Sequence, residues 1–215
     1  VDNISYILFL FYHTNYIKQM RIEIELKAQT HKYTIPLSYN YIIHGAIYKI
    51  LSQSSKEFTK WLHQKGFVTD EGRAMKLFTF SRLFFERLKV EKDVIRASGW
   101  SKLLISTPID DKIITNIIMG MLNKNFLTLA DRLYKTDFII NRVNLIPYPD
   151  FGTTDYIMLS PTTASTMKEI NGKLQTYYFR PLDKKLNENL ENNLRNKYKL
   201  LKGKDYDGEL YISLD

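Results

Sequence analysis

The sequence has 215 residues, 31 Lys and Arg against 23 Asp and Glu, a net charge of +8 and no cysteine. A hydrophobic fraction of 44% is enough to build a core and excludes a disordered chain. The missing cysteines exclude disulfides, thiolate nucleophiles and cysteine-held zinc, and fit a reducing cytoplasm. The positive balance favours a polyanionic partner such as nucleic acid.

Residues 1–19 carry the apolar run Ile4–Tyr12, about half the ~18 residues that would cross a bilayer. The run lacks a basic start and a small-residue cleavage site, so it is not a signal peptide. The first methionine is Met20, and the natural start is expected there, with residues 1–19 as an extension. From Met20 to Leu26 apolar and charged residues alternate, which predicts a half-buried strand with Ile22, Ile24 and Leu26 inward. Pro36 and Ser38 announce a helix over Tyr39–Ser52, with Ile43, Ala46, Ile47, Ile50 and Leu51 on one face. A second helix is expected over Ser55–Lys65, capped by Ser55, buried through Phe58, Trp61 and Leu62, and stopped by Gly66.

Lys76–Phe84 and Trp100–Thr107 alternate as strands. Arg82, Arg87, Lys89, Lys92 and Arg96 fall in and between them and predict a basic hairpin that grips a phosphate backbone. Pro108 and Asp110 open a helix with the stripe Ile113, Ile114, Ile117, Ile118, Met121 and Leu122. Phe138–Leu145 is a further strand, and Pro147–Thr153 a linker. Beyond it come a strand from Tyr156, a helix over Asp183–Leu201 and a strand over Leu210–Leu214. Lysines and arginines crowd the late helix, but Glu188 and Glu191 interleave with them, so that surface is expected to be a solvated face.

Strand, helices, strand, strand, helix, strand is the ferredoxin-like order. The expected fold is therefore α+β, with tandem ferredoxin-like (RRM-like) domains over residues 20–148 and 149–215. The second domain looks incomplete, because a strand pair and a helix are missing from the pattern. The other face of the first sheet is left open for a ligand.

Three segments carry a resemblance: Tyr39-Asn40-Tyr41 with Ala46-Ile47-Tyr48, then Trp61-Leu62-His63-Gln64-Lys65-Gly66, then Lys76-Leu77-Phe78-Thr79-Phe80-Ser81. Together they resemble the repeat-processing CRISPR endoribonucleases of the repeat-associated mysterious protein superfamily. Leu159-Ser160-Pro161 is similar to the start of that family's second domain. The resemblance implies metal-independent cleavage of CRISPR repeat RNA through the substrate's own 2′-hydroxyl. The products would be a 2′,3′-cyclic phosphate and a 5′-hydroxyl. It aligns His63 with a catalytic histidine, Tyr48 with a catalytic tyrosine and Lys76 with a catalytic lysine. His63 would move protons, Tyr48 would orient the 2′-hydroxyl or the histidine, and Lys76 would steady the scissile phosphate. The family's glycine-rich loop near the C-terminus has no counterpart before Asp215.

Histidine suits this chemistry because its unperturbed pKa lies near ~6.5. Taken alone, His63 is a polar residue at a helix end, Tyr48 a half-core aromatic and Lys76 a surface lysine. His44, four residues before Tyr48, shares a helix face with it and is the rival acid–base residue. No metal cluster, cofactor motif or phosphate-binding glycine loop is visible. The expected partner is CRISPR repeat RNA, with other CRISPR effector subunits and a second copy of the chain as further candidates. The competing readings are a catalytically silent RNA-binding subunit of a CRISPR ribonucleoprotein and a protein–protein adaptor of the same fold.

Overall fold

The computed structural model describes residues 20–70, 72–109, 112–146, 164–183 and 185–210. The chain divides into two units, one of residues 1–66 and 76–155, the other of residues 67–75 and 156–215.

The first unit is built on β1 (Met20–Pro36), which runs through the middle of its sheet. It pairs antiparallel with β6 (Val94–Thr107) on one side and β8 (Lys135–Leu145) on the other. β7 (Phe126–Ala130) extends the sheet beyond β8. On the far side of β6 lie both β4 (Thr79–Phe80) and β5 (Phe84–Glu91). Two helices, α1 (Asn40–Ser54) and α2 (Lys56–Gln64), follow β1, and α3 (Lys112–Asn123) follows β6. The fold is ferredoxin-like, as the order of elements predicts.

The core forms between one sheet face and the helices. Ile22, Ile24 and Leu26 of β1, Leu103 and Ile105 of β6, and Phe138 of β8 are almost fully buried. Ile43, Ile47 and Leu51 of α1 and Ile113, Ile114 and Ile117 of α3 are fully buried as well. Each such side chain contributes about 1.5–3 kcal/mol by leaving water, which outweighs the weak helix preference of isoleucine. Gly120 lets α1 and α3 close up: a Cβ there would lie 2.0 Å from the Ile50 carbonyl oxygen. The pair is pinned further by Ser54 Oγ donating to Asn116 Oδ1 at 2.9 Å and Asn123 Nδ2 donating to the Gln53 carbonyl at 2.8 Å.

Several expectations for the first unit change. The strand expected over Lys76–Phe84 is broken, because Leu77 takes a left-handed backbone (φ 51) and side chains bond the backbone where a ladder would. Thr107 Oγ1 donates to the Leu77 carbonyl at 2.7 Å, and the Leu83 N–H donates to the Tyr39 hydroxyl at 3.0 Å. Strand β1 runs ten residues past Leu26, since its second half keeps pairing with β6 after a register shift between Lys27 and Lys32. Leu122, expected in the α3 stripe, is 41% exposed at that helix's end.

The second unit holds the hairpin β2 (Phe67–Val68) and β3 (Ala74–Met75), the hairpin β9 (Ser165–Ile170) and β10 (Lys173–Tyr178), and α4 (Lys185–Lys202). The β9–β10 hairpin falls where the sequence pattern shows no strands. Its residues are almost all exposed, so no inward–outward alternation marks it. The linker at Pro147–Thr153, the strand from Tyr156, the Leu159-Ser160-Pro161 segment and the strand over Leu210–Leu214 lie largely or wholly outside the described residues, as do residues 1–19.

Candidate active site

Helix α1 places His44 and Tyr48 one turn apart, the imidazole and phenol rings edge to face with centroids 4.9 Å apart. Helix α2 brings His63 against the same tyrosine, its ring 5.3 Å from that of Tyr48 and at 83° to it. Tyr48 thus carries one imidazole on each of two neighbouring helices. Phe78 lies parallel to His44 at 6.3 Å and meets Tyr48 at 6.1 Å, while Phe80 lies 6.5 Å from His44. The local sequence explains the geometry. Ser55 ends α1 and caps α2, its Oγ accepting from the Phe58 N–H at 3.1 Å. Burial of Phe58 and Leu62 then fixes the rotation of α2, which leaves His63 exposed.

Lys76 joins this group through its ammonium. Nζ donates to the carbonyls of Leu62 and His63 at 2.6 and 2.7 Å. These carbonyls belong to the last turn of α2 and have no partner within the helix. Lys76 therefore closes the C-terminus of α2 directly under His63, a use the alternating sequence around it does not reveal.

The Tyr48 hydroxyl is buried and has no hydrogen-bond partner, so neither histidine takes its proton. An unsatisfied buried hydroxyl costs roughly 1–3 kcal/mol. Burial also pushes the Tyr48 phenol above its usual range, because no partner offsets the loss of water. Burial lowers the His44 imidazole below its ordinary value, with His63 and Lys76 adding to the effect. His44 still has an exposed surface, but the packed rings withdraw enough water to disfavour its charged form. His44 thus lies beside an unsatisfied phenol, with its charged form disfavoured.

Two histidines, a tyrosine and a lysine from α1, α2 and the segment after β3 gather here, and groups of these types can carry protons. Similarity to known proteins narrows what it serves. The family described as "CRISPR-associated protein Cas6, N-terminal" matches residues 34–144, and "CRISPR associated protein Cas6, C-terminal" matches residues 146–215. The chain belongs to the Cas6 family. A CRISPR-associated endoribonuclease Cas6 1 from Methanocaldococcus jannaschii is 33% identical over 184 residues, 84% of this chain and 66% of that protein. A Cas6 endoribonuclease from Pyrococcus furiosus is 22% identical over 80% of this chain and 60% of its own length. The chain therefore spans under two thirds of the length of these relatives. A solved CRISPR-associated protein Cas6 superposes with a TM-score of 0.68 at 28% identity, covering 88% of this chain and 74% of its own. A second structure, described as a RAMP protein binding different RNA substrates, shares the fold with a TM-score of 0.70 at 22% identity over 87% of this chain and 74% of its own.

In this Cas6 chain the basic hairpin forms, but several of its cations are engaged. Arg87 pairs with Glu86 at 3.1 Å, and Lys89 and Arg96 both pair with Glu91 at 3.0 and 2.6 Å. Arg82 lies over the Phe84 ring at 5.8 Å, and Lys92 occupies the hairpin turn with φ 50. On α4, Lys199 pairs with Asp70 and Asp205, and Arg195 donates to the carbonyls of Tyr206 and Gly208. These late-helix cations stitch the second unit together.

The sheet face opposite the helices carries a second candidate surface that the linear sequence does not expose. Trp100, Lys27, Ile139 and Phe126 stand in one row across β6, β1, β8 and β7. Trp100, Ile139 and Phe126 are each about two-fifths exposed. Lys102 and Lys124 flank the row, their Nζ atoms 5.3 Å from the Trp100 ring and 4.3 Å from the Phe126 ring. Cross-strand pairing supplies this row, so only the register could have predicted it. Among the described residues no group of three metal-ligating side chains gathers, and no helix is long and apolar enough to cross a membrane.

Proposed function

We propose that this chain is a metal-independent endoribonuclease that cuts CRISPR repeat RNA to generate guide RNAs. The observation that carries the reading is the assembly of His63, Tyr48 and His44 around one buried, unsatisfied phenol, with Lys76 closing the helix under His63. In this reading a histidine takes or gives the proton at the scissile linkage, and the 2′-hydroxyl of the RNA attacks its own phosphate. The products are a 2′,3′-cyclic phosphate and a 5′-hydroxyl. Acid–base help of this kind contributes roughly 10²–10⁴-fold in rate. Lys76 fixes the backbone that carries His63.

RNA would be held by two surfaces of the first unit. The exposed row of Trp100 and Phe126 with Lys27 and Lys124, and with Lys102 once it leaves Glu23, its partner at 3.1 Å, offers stacking and phosphate contact to unpaired nucleotides. The β5–β6 hairpin offers Arg82, Arg87, Lys89, Lys92 and Arg96 to the backbone, once phosphates displace Glu86 and Glu91 from three of them. The Cas6 endoribonuclease relatives support the endoribonuclease reading.

The deciding experiment is cleavage of an end-labelled CRISPR repeat RNA from the source organism in excess EDTA. A repeat with one 2′-deoxy at the cut site and the His63→Ala chain serve as controls. Cutting in EDTA that both changes abolish supports the proposal. RNA bound but never cut points to a silent RNA-binding subunit, and absence of salt-sensitive RNA binding points to an adaptor.

A further inference from the structure

Cleavage by an internal 2′-hydroxyl needs two proton transfers at opposite ends of the reacting phosphate. One removes the 2′-hydroxyl proton, and the other supplies a proton to the departing 5′-oxygen. A single histidine can do both only in succession, whereas two can act within one transition state. Two imidazoles stand in this site on different helices, each one ring away from the other across Tyr48.

Their surroundings differ. His44 faces His63 from α2, Lys76 and the Phe78 ring from the segment after β3, the Phe80 ring of β4, and Tyr48 on its own helix. No carboxylate is among these neighbours, so nothing in the group favours a proton on His44, and burial, with His63 and Lys76 beside it, disfavours the charged imidazole. His63 is exposed at the end of α2 and meets solvent, from which it can be reprotonated between turnovers. The Tyr48 ring stands edge-on to both imidazoles, and its hydroxyl is bonded to neither.

We propose that His44 and His63 divide the two proton transfers, His44 as general base to the 2′-hydroxyl and His63 as general acid to the 5′-oxygen. The inference rests on the endoribonuclease reading above. His44 accepts the 2′-hydroxyl proton as the 2′-oxygen–phosphorus bond forms. The phosphorus–5′-oxygen bond breaks as His63 gives its proton to the leaving oxygen. The cyclic phosphate and the 5′-hydroxyl then leave, and exchange with water returns His44 to neutrality and His63 to its cation.

The test uses the full chain and two versions of one repeat RNA, ordinary and with sulfur replacing the bridging 5′-oxygen at the cut site. A thiolate leaves without protonation, so the sulfur substrate has no need of a general acid. The variants are His44→Ala, His44→Gln and His63→Ala, each first shown by circular dichroism and RNA binding to keep its fold. The expected result is a loss on the order of 10²–10⁴-fold for every variant on ordinary RNA. On the sulfur substrate His63→Ala should recover most of its rate, while both His44 variants stay slow. In the pH–rate profile the His44 variants should lose the rising acidic limb and His63→Ala the falling basic limb. Rescue of His44→Ala instead of His63→Ala would overturn the assignment of roles. Wild-type rates in the His44 variants with a dead His63→Ala would remove His44 from the reaction and leave the endoribonuclease reading intact. A wild-type chain that binds repeat RNA and leaves it whole would overturn both.

Discussion

The ammonium of Lys76 lies 2.7 Å from the carbonyl oxygen of His63, so the lysine grips the backbone beneath the histidine. A charge-assisted bond of this kind at a helix C-terminus holds the last turn in place. Lys76→Met should therefore destabilise the fold by about 1–3 kcal/mol and slow cleavage while leaving the salt dependence of RNA binding unchanged. Thermal unfolding, single-turnover cleavage and binding across a salt series would check this. A salt slope shallower by about 0.7–0.9 would show instead that Lys76 binds a phosphate.

Tyr48→Phe removes a buried hydroxyl that has no partner. Stability should rise or hold, with a gain of up to roughly 1–3 kcal/mol, because the desolvation cost of the hydroxyl disappears. Cleavage should fall if the phenol meets the RNA and hold if the ring is only a spacer. Denaturant unfolding of both chains decides the first point: a clear loss of stability would reveal a partner for the hydroxyl.

The depressed His44 imidazole sets a direction for stability against pH. Above about 6.5 the imidazole is neutral in folded and unfolded chains alike and contributes nothing. As pH falls through that value the unfolded chain takes a proton that the folded chain resists. Stability therefore declines, and the decline levels off below the folded-state value. Melting temperatures from pH 8 to pH 5 should show a smaller drop for His44→Gln than for wild type, and parallel curves would refute the assignment.

Glu91 holds Lys89 and Arg96 on the β5–β6 hairpin, and those two cations hold its carboxyl below the usual range. Glu91→Gln should release both to RNA, tightening binding and steepening its salt dependence. Trp100→Ala should weaken binding of unpaired RNA by about 1–3 kcal/mol, the worth of one stacked base. Filter binding over a range of salt separates the two effects, since loss of stacking leaves the slope alone.

Gly120 meets the Ile50 backbone too closely for any side chain. Gly120→Ala should destabilise by about 1–3 kcal/mol through forced separation of α1 and α3, despite the better helix preference of alanine. Because α1 carries His44 and Tyr48, cleavage should fall with it. An Ala variant as stable as wild type would show that the helices adjust freely.

Much of the first unit was legible in the sequence. Period-two alternation in Ile22, Ile24 and Leu26 and helical spacing in Ile43, Ala46, Ile47 and Leu51 encode burial on one face, and burial is what forms those elements. Ser55 and Gly66 marked the bounds of α2 through cap chemistry that acts over a few residues. The spacing of His44 and Tyr48 placed both on one helix face. Only the tertiary structure decided the rest, because it depends on contacts between residues far apart in the chain. It set the His63 ring against Tyr48, turned Lys76 onto α2 rather than outward, and paired Glu91 with the hairpin's cations. It also aligned Trp100, Lys27, Ile139 and Phe126 across four strands, since strand register is a long-range property that no local pattern contains.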